Sequence, residues 1–139
     1  MRYLKAALTA AVLFTACGDD PVDVDDVASL QIIDITIGTG LTASAGKFVS
    51  VHYTGWLYNE DAVDHKGQQF DSSTGRQPLS FTLGTGAVIA GWERGIPGMR
   101  VGGRRRLIIP ASEAYGARGN GSIPGGSALV FDVELVGVI

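Results

Sequence analysis

Glu60, Asp61, Asp64 and His65 put four oxygen and nitrogen donors into one short stretch. No second histidine or thiolate stands near them, so a polar surface loop is the better reading than a metal site. Gly84-Thr85-Gly86-Ala87-Val88-Ile89 opens like a dinucleotide loop, but Ile89 replaces the third glycine and no strand-helix-strand unit follows. A glycine turn ahead of a helix is enough to explain it. Arg104-Arg105-Arg106 would hold a phosphate only if the three side chains faced one way, and neighbours on a strand alternate. No Gly-x-Ser-x-Gly elbow, His-Glu-x-x-His pair or Walker loop occurs, which leaves hydrolase and phosphotransferase chemistry without its groups. What remains is Tyr53, Phe70, Phe81, Val88, Ile89, Trp92, Tyr115, Ile123 and Phe131, a set without a nucleophile or an acid-base pair. It is a packed core or, around a hollow with hydroxyls at its rim, a site for a small ligand or a peptide. Neither use needs a metal or a cofactor, and none is expected.

The elements that would position this set are mostly strands. Leu30–Ile37 and Phe48–Tyr53 are rich in β-branched and aromatic residues, alternate, and are bounded by Gly38, Gly40 and Gly46. On the second, Val49, Val51, Tyr53 and Leu57 share a face, which points Tyr53 inward. Gln69–Ser72, Leu79–Leu83, Arg105–Ile109 and Leu129–Leu135 read as further strands, the last with Leu129, Phe131, Val133 and Leu135 on one face. Only Val88, Ile89, Trp92 and Ile96 recur at helical spacing. A helix of about two turns is unstable alone in water, so it must pack on the sheet. The expected class is α+β: a curved antiparallel sheet, a half-barrel, wrapped around one short helix. The 20 glycines among 139 residues suit such a turn-rich fold.

That length allows one domain. The net charge of -3 comes from the amino-terminal part: Asp19, Asp20, Asp23, Asp25 and Asp26 precede a domain in which bases and acids balance. A neutral domain offers no positive field for nucleic acid. Residues 1–16 have a basic start (Arg2, Lys5) and an apolar run from Ala6 to Phe14, the layout of a signal peptide too short to span a bilayer. Phe14-Thr15-Ala16-Cys17 resembles the lipobox of bacterial lipoprotein precursors, with Phe14 where Leu, Val or Ile is usual. The resemblance implies lipid on Cys17, the sole cysteine, and an acidic tether over residues 17–27. The domain 28–139 would then be held at the cell envelope, with Gly18 directing it to the outer membrane on the periplasmic side.

Seven blocks, in order, identify a family for that domain. They are Val51-His52-Tyr53-Thr54-Gly55, Gly67-Gln68-Gln69-Phe70-Asp71-Ser72-Ser73, Val88-Ile89-Ala90-Gly91-Trp92-Glu93, Met99-Arg100-Val101-Gly102, Ile109-Pro110, Ala114-Tyr115-Gly116 and Leu129–Leu135. Together they resemble the FKBP-type peptidyl-prolyl cis-trans isomerases from about Leu30 to Val138. The resemblance implies that Trp92 floors a proline pocket walled by Tyr53, Phe70, Val88, Ile89 and Phe131, with Phe81 inside but less directly at the substrate. It also implies that Tyr115 and the Ile89 N–H bond substrate carbonyls, and that Asp71 is an edge carboxylate held by Tyr53 and Arg76. Leu79, Ile123 and Asn120 complete the expected contacts. Leu79 stands where the best-known members carry an aromatic, and Asn120 where many carry histidine in the flap Arg118–Pro124. Altered peptide preference and inhibitor affinity are expected from these two. Asn59–Lys66, longer than in compact members, is expected to be a surface insertion beside the pocket.

The implied partners are proline-containing unfolded or partly folded polypeptides, tacrolimus- or rapamycin-type inhibitors, and the membrane through Cys17; a monomer is expected. The alternative is a periplasmic chaperone or scaffold on the same fold, with isomerisation incidental.

Overall fold

The computed structural model describes residues 27–139, so the signal segment, Cys17 and the tether as far as Asp26 lie outside the described residues. Six strands form one antiparallel sheet: β1 (Gln31–Thr36), β2 (Phe48–Tyr58), β3 (Lys66–Ser72), β4 (Leu79–Thr82), β5 (Arg104–Ile109) and β6 (Leu129–Val138). One α-helix, α1 (Ala90–Gly95), packs on its concave face. The strand order is β1-β5-β6-β2-β3, with β4 also on β2. The length of β2 makes this possible. Phe48–Val51 pairs with β4 and Thr54–Tyr58 with β3, while β6 follows the other edge of β2 from Val49 to Leu57. Register shifts at Ser50/Val51 against β6 and at Gly55/Trp56 against β3 bend the strand, and such bulges increase local twist.

Alternation sorts the side chains between the two faces. Leu129, Phe131, Val133 and Leu135 of β6 are buried in the core beneath α1, beside Val49 and Val51 of β2. A fully buried Val or Leu side chain is worth about 1.5 to 3 kcal/mol against leaving it in water. On the convex face Val130 packs with Val27, Ile108 and Ala128, covered by Trp56 and Tyr58. Asp132 is also buried there, between Arg106 Nε at 2.8 Å and Lys66 Nζ at 2.9 Å. Burial alone would raise its carboxyl pKa, but the hydrogen bonds and charges of Arg106 and Lys66 outweigh that and hold it below the usual range.

The arginine triplet splits as strand alternation predicts. Arg104 is exposed and Arg106 joins Asp132 on the convex face. Arg105 turns the other way, with Nε donating to Asp34 at 2.7 Å and Nη1 to the Gly95 and Pro97 carbonyls at 2.8 and 3.1 Å. One buried guanidinium thus ties the end of α1 to the sheet's edge. The helix lies close because Gly91 and Gly95 face β5; a Cβ there would stand 2.5 Å from Ile109 and 2.7 Å from Leu107.

β2, β3 and β6 run longer than expected and the helix shorter, while β1, β4 and β5 match to within one residue at either end. β2 continues from Tyr53 to Tyr58 because β3 and β6 pair with its second half, and β3 starts at Lys66 opposite Tyr58. β6 continues to Val138, opposite Val49. The helix begins only at Ala90, because Ile89 is extended at φ -61°, ψ 154°. Val88 and Ile89 therefore belong to the preceding turn. The alternation of β1 buries neither face; all six residues are exposed on a strand paired only with β5.

The stretch Asn59–Lys66 is not beside the concave hollow. It folds over the convex face: His65 stacks on Tyr58 with centroids 5.0 Å apart, Asp64 reaches Arg106 at 3.5 Å, and Lys66 lies over the Trp56 ring at 4.3 Å. Ion pairs and ring contacts available on that side draw it there.

Candidate active site

The site is a box of rings assembled from four elements. Trp92, on α1 and 3% exposed, meets Tyr53 of β2 edge-on at 5.2 Å and 75°, and Phe131 of β6 at 5.2 Å and 84°. Phe70 of β3 stands perpendicular to Phe131 at 5.6 Å. Edge-to-face contacts of this kind suit the ring quadrupoles. They need a gap in β2, which Gly55 provides, since a Cβ there would lie 2.6 Å from Phe131 and 2.7 Å from Phe70.

Between the rings lies a hollow of about 170 Å³, lined by Tyr53, Phe70, Asp71, Leu79, Ala87, Val88, Ile89, Trp92, Tyr115 and Phe131. Tyr53, Phe70, Asp71, Val88, Ile89, Trp92, Tyr115 and Phe131, all expected at the pocket, are brought together here, along with Leu79. Phe81, Ile123 and Asn120 do not line it. Phe81 is buried behind Trp92, 6.1 Å between centroids, and Ile123 is buried in the core. Asn120 and Ile123 exchange backbone hydrogen bonds of 2.8 and 2.9 Å, and this tight turn leaves the Asn120 side chain exposed outside the hollow.

One edge is polar and carries a carboxylate with three partners. Tyr53 Oη donates to Asp71 Oδ2 at 2.7 Å, and Arg76 Nη2 to Asp71 Oδ1 at 3.0 Å, as expected for a carboxylate held by those two residues. The Ser72 N–H donates to the same oxygen at 2.8 Å, and Arg76 also reaches the Ser72 carbonyl. Burial, followed by the hydrogen bond to Asp71 and its negative charge, pushes the Tyr53 hydroxyl up to about 12. It stays a protonated donor at neutral pH. Ser73, buried, supports Tyr53 from behind: its Oγ accepts the Tyr53 N–H at 2.8 Å and contacts His52 Nδ1 at 2.8 Å.

The opposite edge carries two free donors. Neither the Tyr115 hydroxyl nor the Ile89 N–H has a hydrogen-bond partner among the described residues. No serine, cysteine, lysine or histidine lines the hollow, and both oxygens of its one carboxylate, Asp71, are engaged by Tyr53, Arg76 and the Ser72 N–H. The arrangement can enclose a small apolar ring and hold polar groups on either side. A larger hollow of about 380 Å³ lies on the convex face among His52, Thr54, Arg104, Asp132 and Glu134, but lacks an enclosing box of rings.

Ala87 and Glu93 are the features the sequence did not announce. A small wall residue has no periodic signature, and Glu93 acts on backbone N–H groups, which leave no mark in a sequence.

Comparison with known proteins gives a consistent result. Residues 40–136 match the family described as FKBP-type peptidyl-prolyl cis-trans isomerase. The chain is 50% identical over 114 residues to the FK506-binding protein of Neisseria meningitidis serogroup A, covering 81% of this chain and 98% of that one. It is also 50% identical over 114 residues to the FK506-binding protein of Streptomyces anulatus, covering 80% and 87%. The crystal structure of AtFKBP13 superposes with a TM-score of 0.70 at 39% identity, over 82% of this chain and 96% of that one.

Proposed function

The chain belongs to the FKBP-type peptidyl-prolyl cis-trans isomerases and catalyses that isomerisation; from this premise we propose that the ring-lined hollow on the concave face is where the bond turns. The observation that carries this reading is the pairing of an apolar box with two unpartnered donors at its rim. Rotation about an X-Pro bond is slow because amide resonance must be lost, with a barrier of ~18 to 20 kcal/mol. A dry, apolar hollow disfavours the charge-separated planar amide more than the twisted transition state, whose carbonyl and nitrogen are less polarised. Each ~1.4 kcal/mol of that difference is tenfold in rate.

Each residue then has a task. Trp92 supports the proline ring from below, while Phe70, Tyr53 and Phe131 hold it and exclude water. The Tyr115 O–H and the Ile89 N–H donate to carbonyls flanking the bond, fixing one side of the peptide while the other rotates. Asp71, tied by Tyr53, Arg76 and Ser72, shapes the rim. Exposed Leu79 presents an aliphatic contact for the residue before proline, and FK506-type ligands would occupy the same hollow.

The proposed location is the cell envelope. Lipid on Cys17 would anchor the domain through the acidic tether, facing the periplasm from the outer membrane, where exported chains exposing an apolar residue before proline are the substrates. Two acyl chains give stable attachment where one is marginal.

The two tryptophans provide a direct test of where substrate sits, because Trp92 floors the concave hollow and Trp56 borders the convex one. Titrating a proline tetrapeptide should shift the indole N–H resonance of Trp92 and leave that of Trp56 in place. The reverse would move the site to the other face.

A further inference from the structure

We propose that Glu93 is a positioning residue of the isomerase, whose carboxylate sets the wall segment leading to Ile89 and so aims the Ile89 N–H at the substrate; this rests on the pocket reading above. Both oxygens are engaged: the Gly84 N–H donates to Oε1 and the Gly86 N–H to Oε2, each at 2.6 Å. Hydrogen bonds to a charged acceptor are short and among the stronger ones available.

Little else holds this turn. Between Gly84 and Val88 the only other polar tie among the described residues is Thr85 Oγ1 to the Thr82 carbonyl at 2.8 Å. Packing holds its ends, Gly84 close to Ala45 and Val88 on the core, but not its middle. A Cβ on Gly86 would meet nothing within 4 Å, and residues 84–87 are exposed. Gly84 and Gly86 take φ of +91° and +77°, conformations open to glycine, and these direct both N–H groups at one carboxylate. Three residues after Gly86 comes Ile89, whose carbonyl accepts from the N–H groups of Trp92 and Glu93 at 3.0 and 3.1 Å. The turn is therefore bound to α1 at both ends, by the Glu93 side chain at one and by the helix backbone at the other. Because Glu93 follows Trp92 directly, the floor and the Ile89 wall are locked to the same helix.

Its neighbour works in the opposite direction. Arg94 Nη1 donates to Glu113 Oε1 at 2.5 Å, just ahead of Tyr115. With Arg94 63% exposed, that pair contributes little, so the two sides of the hollow are unequally tied.

Glu93→Ala and Glu93→Gln in the full chain test this, with kcat and KM determined separately on a proline tetrapeptide and amide resonances assigned. An interaction made equally in ground and transition states appears in KM, so Glu93→Ala should raise KM about tenfold with kcat within about twofold. Glu93→Gln should fall between, because its amide oxygen still accepts one N–H while its NH₂ opposes the other. The Gly84 and Gly86 amide protons should move upfield in both variants. A role in stability alone would lower the melting temperature and the active fraction, reducing apparent kcat without moving KM. KM within about twofold of wild type, in folded Glu93→Ala or, if that fails to fold, in Glu93→Gln, overturns the proposal whatever happens to kcat. Unmoved Gly84 and Gly86 resonances overturn it as well. An inactive wild-type chain would instead strike at the pocket reading itself.

Discussion

Truncating Phe70 removes a wall without opening the core, because Phe70 is only half-buried whereas Phe131 is 4% exposed. Phe70→Ala should therefore lower kcat/KM about tenfold or more with folding retained, by admitting water to the bond that must lose its polarity. Phe131→Ala would combine the same loss with ~3 to 5 kcal/mol of core destabilisation. Tyr115→Phe removes one hydrogen bond, about 0.5 to 1.5 kcal/mol, and should cost only a few-fold. A protease-coupled assay separates these outcomes, and equal activity in all three would mean that the hollow is not the site. At this scale the aromatic set was legible because ring residues are few and conspicuous. Phe81 and Ile123 belong to the same class and could not be told from wall residues by type; only the tilt of Phe81 behind Trp92 and the turn at Asn120–Ile123 put them outside.

At the level of elements, the two faces of one sheet carry different loads, the convex side a smaller apolar cluster with a buried ion-pair network and the concave side the main core and the ring-lined hollow. Asp132 is the polar centre of the first, 8% exposed and shared by Arg106 and Lys66. Asp132→Asn should leave two cations poorly paired and cost about 2 kcal/mol, while kcat/KM at 25 °C stays near wild type. The pH dependence has a definite sign. A carboxyl held low in the folded state contributes stability above its ordinary value, ~3.9, and that contribution is lost as pH falls from there through the depressed folded value. Denaturant midpoints from pH 6 downward should fall more steeply for wild type than for Asp132→Asn; parallel curves would contradict this. Strand positions were legible from alternation. Their lengths were not, because the extension of β2 to Tyr58 depends on which strands pair with its second half. For the same reason β1 alternates in sequence yet buries neither face, since it lies at an edge with no layer above or below it.

For the whole molecule, the fold class followed from a single short helical segment among strands, and the seven ordered blocks pointed to the family that the comparisons show. The course of Asn59–Lys66 did not follow, because Asp64, His65 and Lys66 are drawn to partners on strands distant in sequence. The proposed anchoring depends on Cys17, outside the described residues. Cys17→Ser should abolish incorporation of a fatty-acid analogue in cells and leave the precursor uncleaved or cut elsewhere, with domain activity unchanged. A wild-type protein that takes up no label would contradict the anchoring proposal alone. Every residue lining the hollow lies between Tyr53 and Phe131, so the domain alone should isomerise X-Pro bonds, with neither cofactor nor covalent step. The most direct test is protease-coupled isomerisation of a proline tetrapeptide by a folded fragment from Val27, which packs on the convex face, to Ile139. Acceleration well above the spontaneous rate, persisting in chelator and without nucleotide, is the predicted result; a folded fragment that leaves the rate at its uncatalysed value would contradict the account.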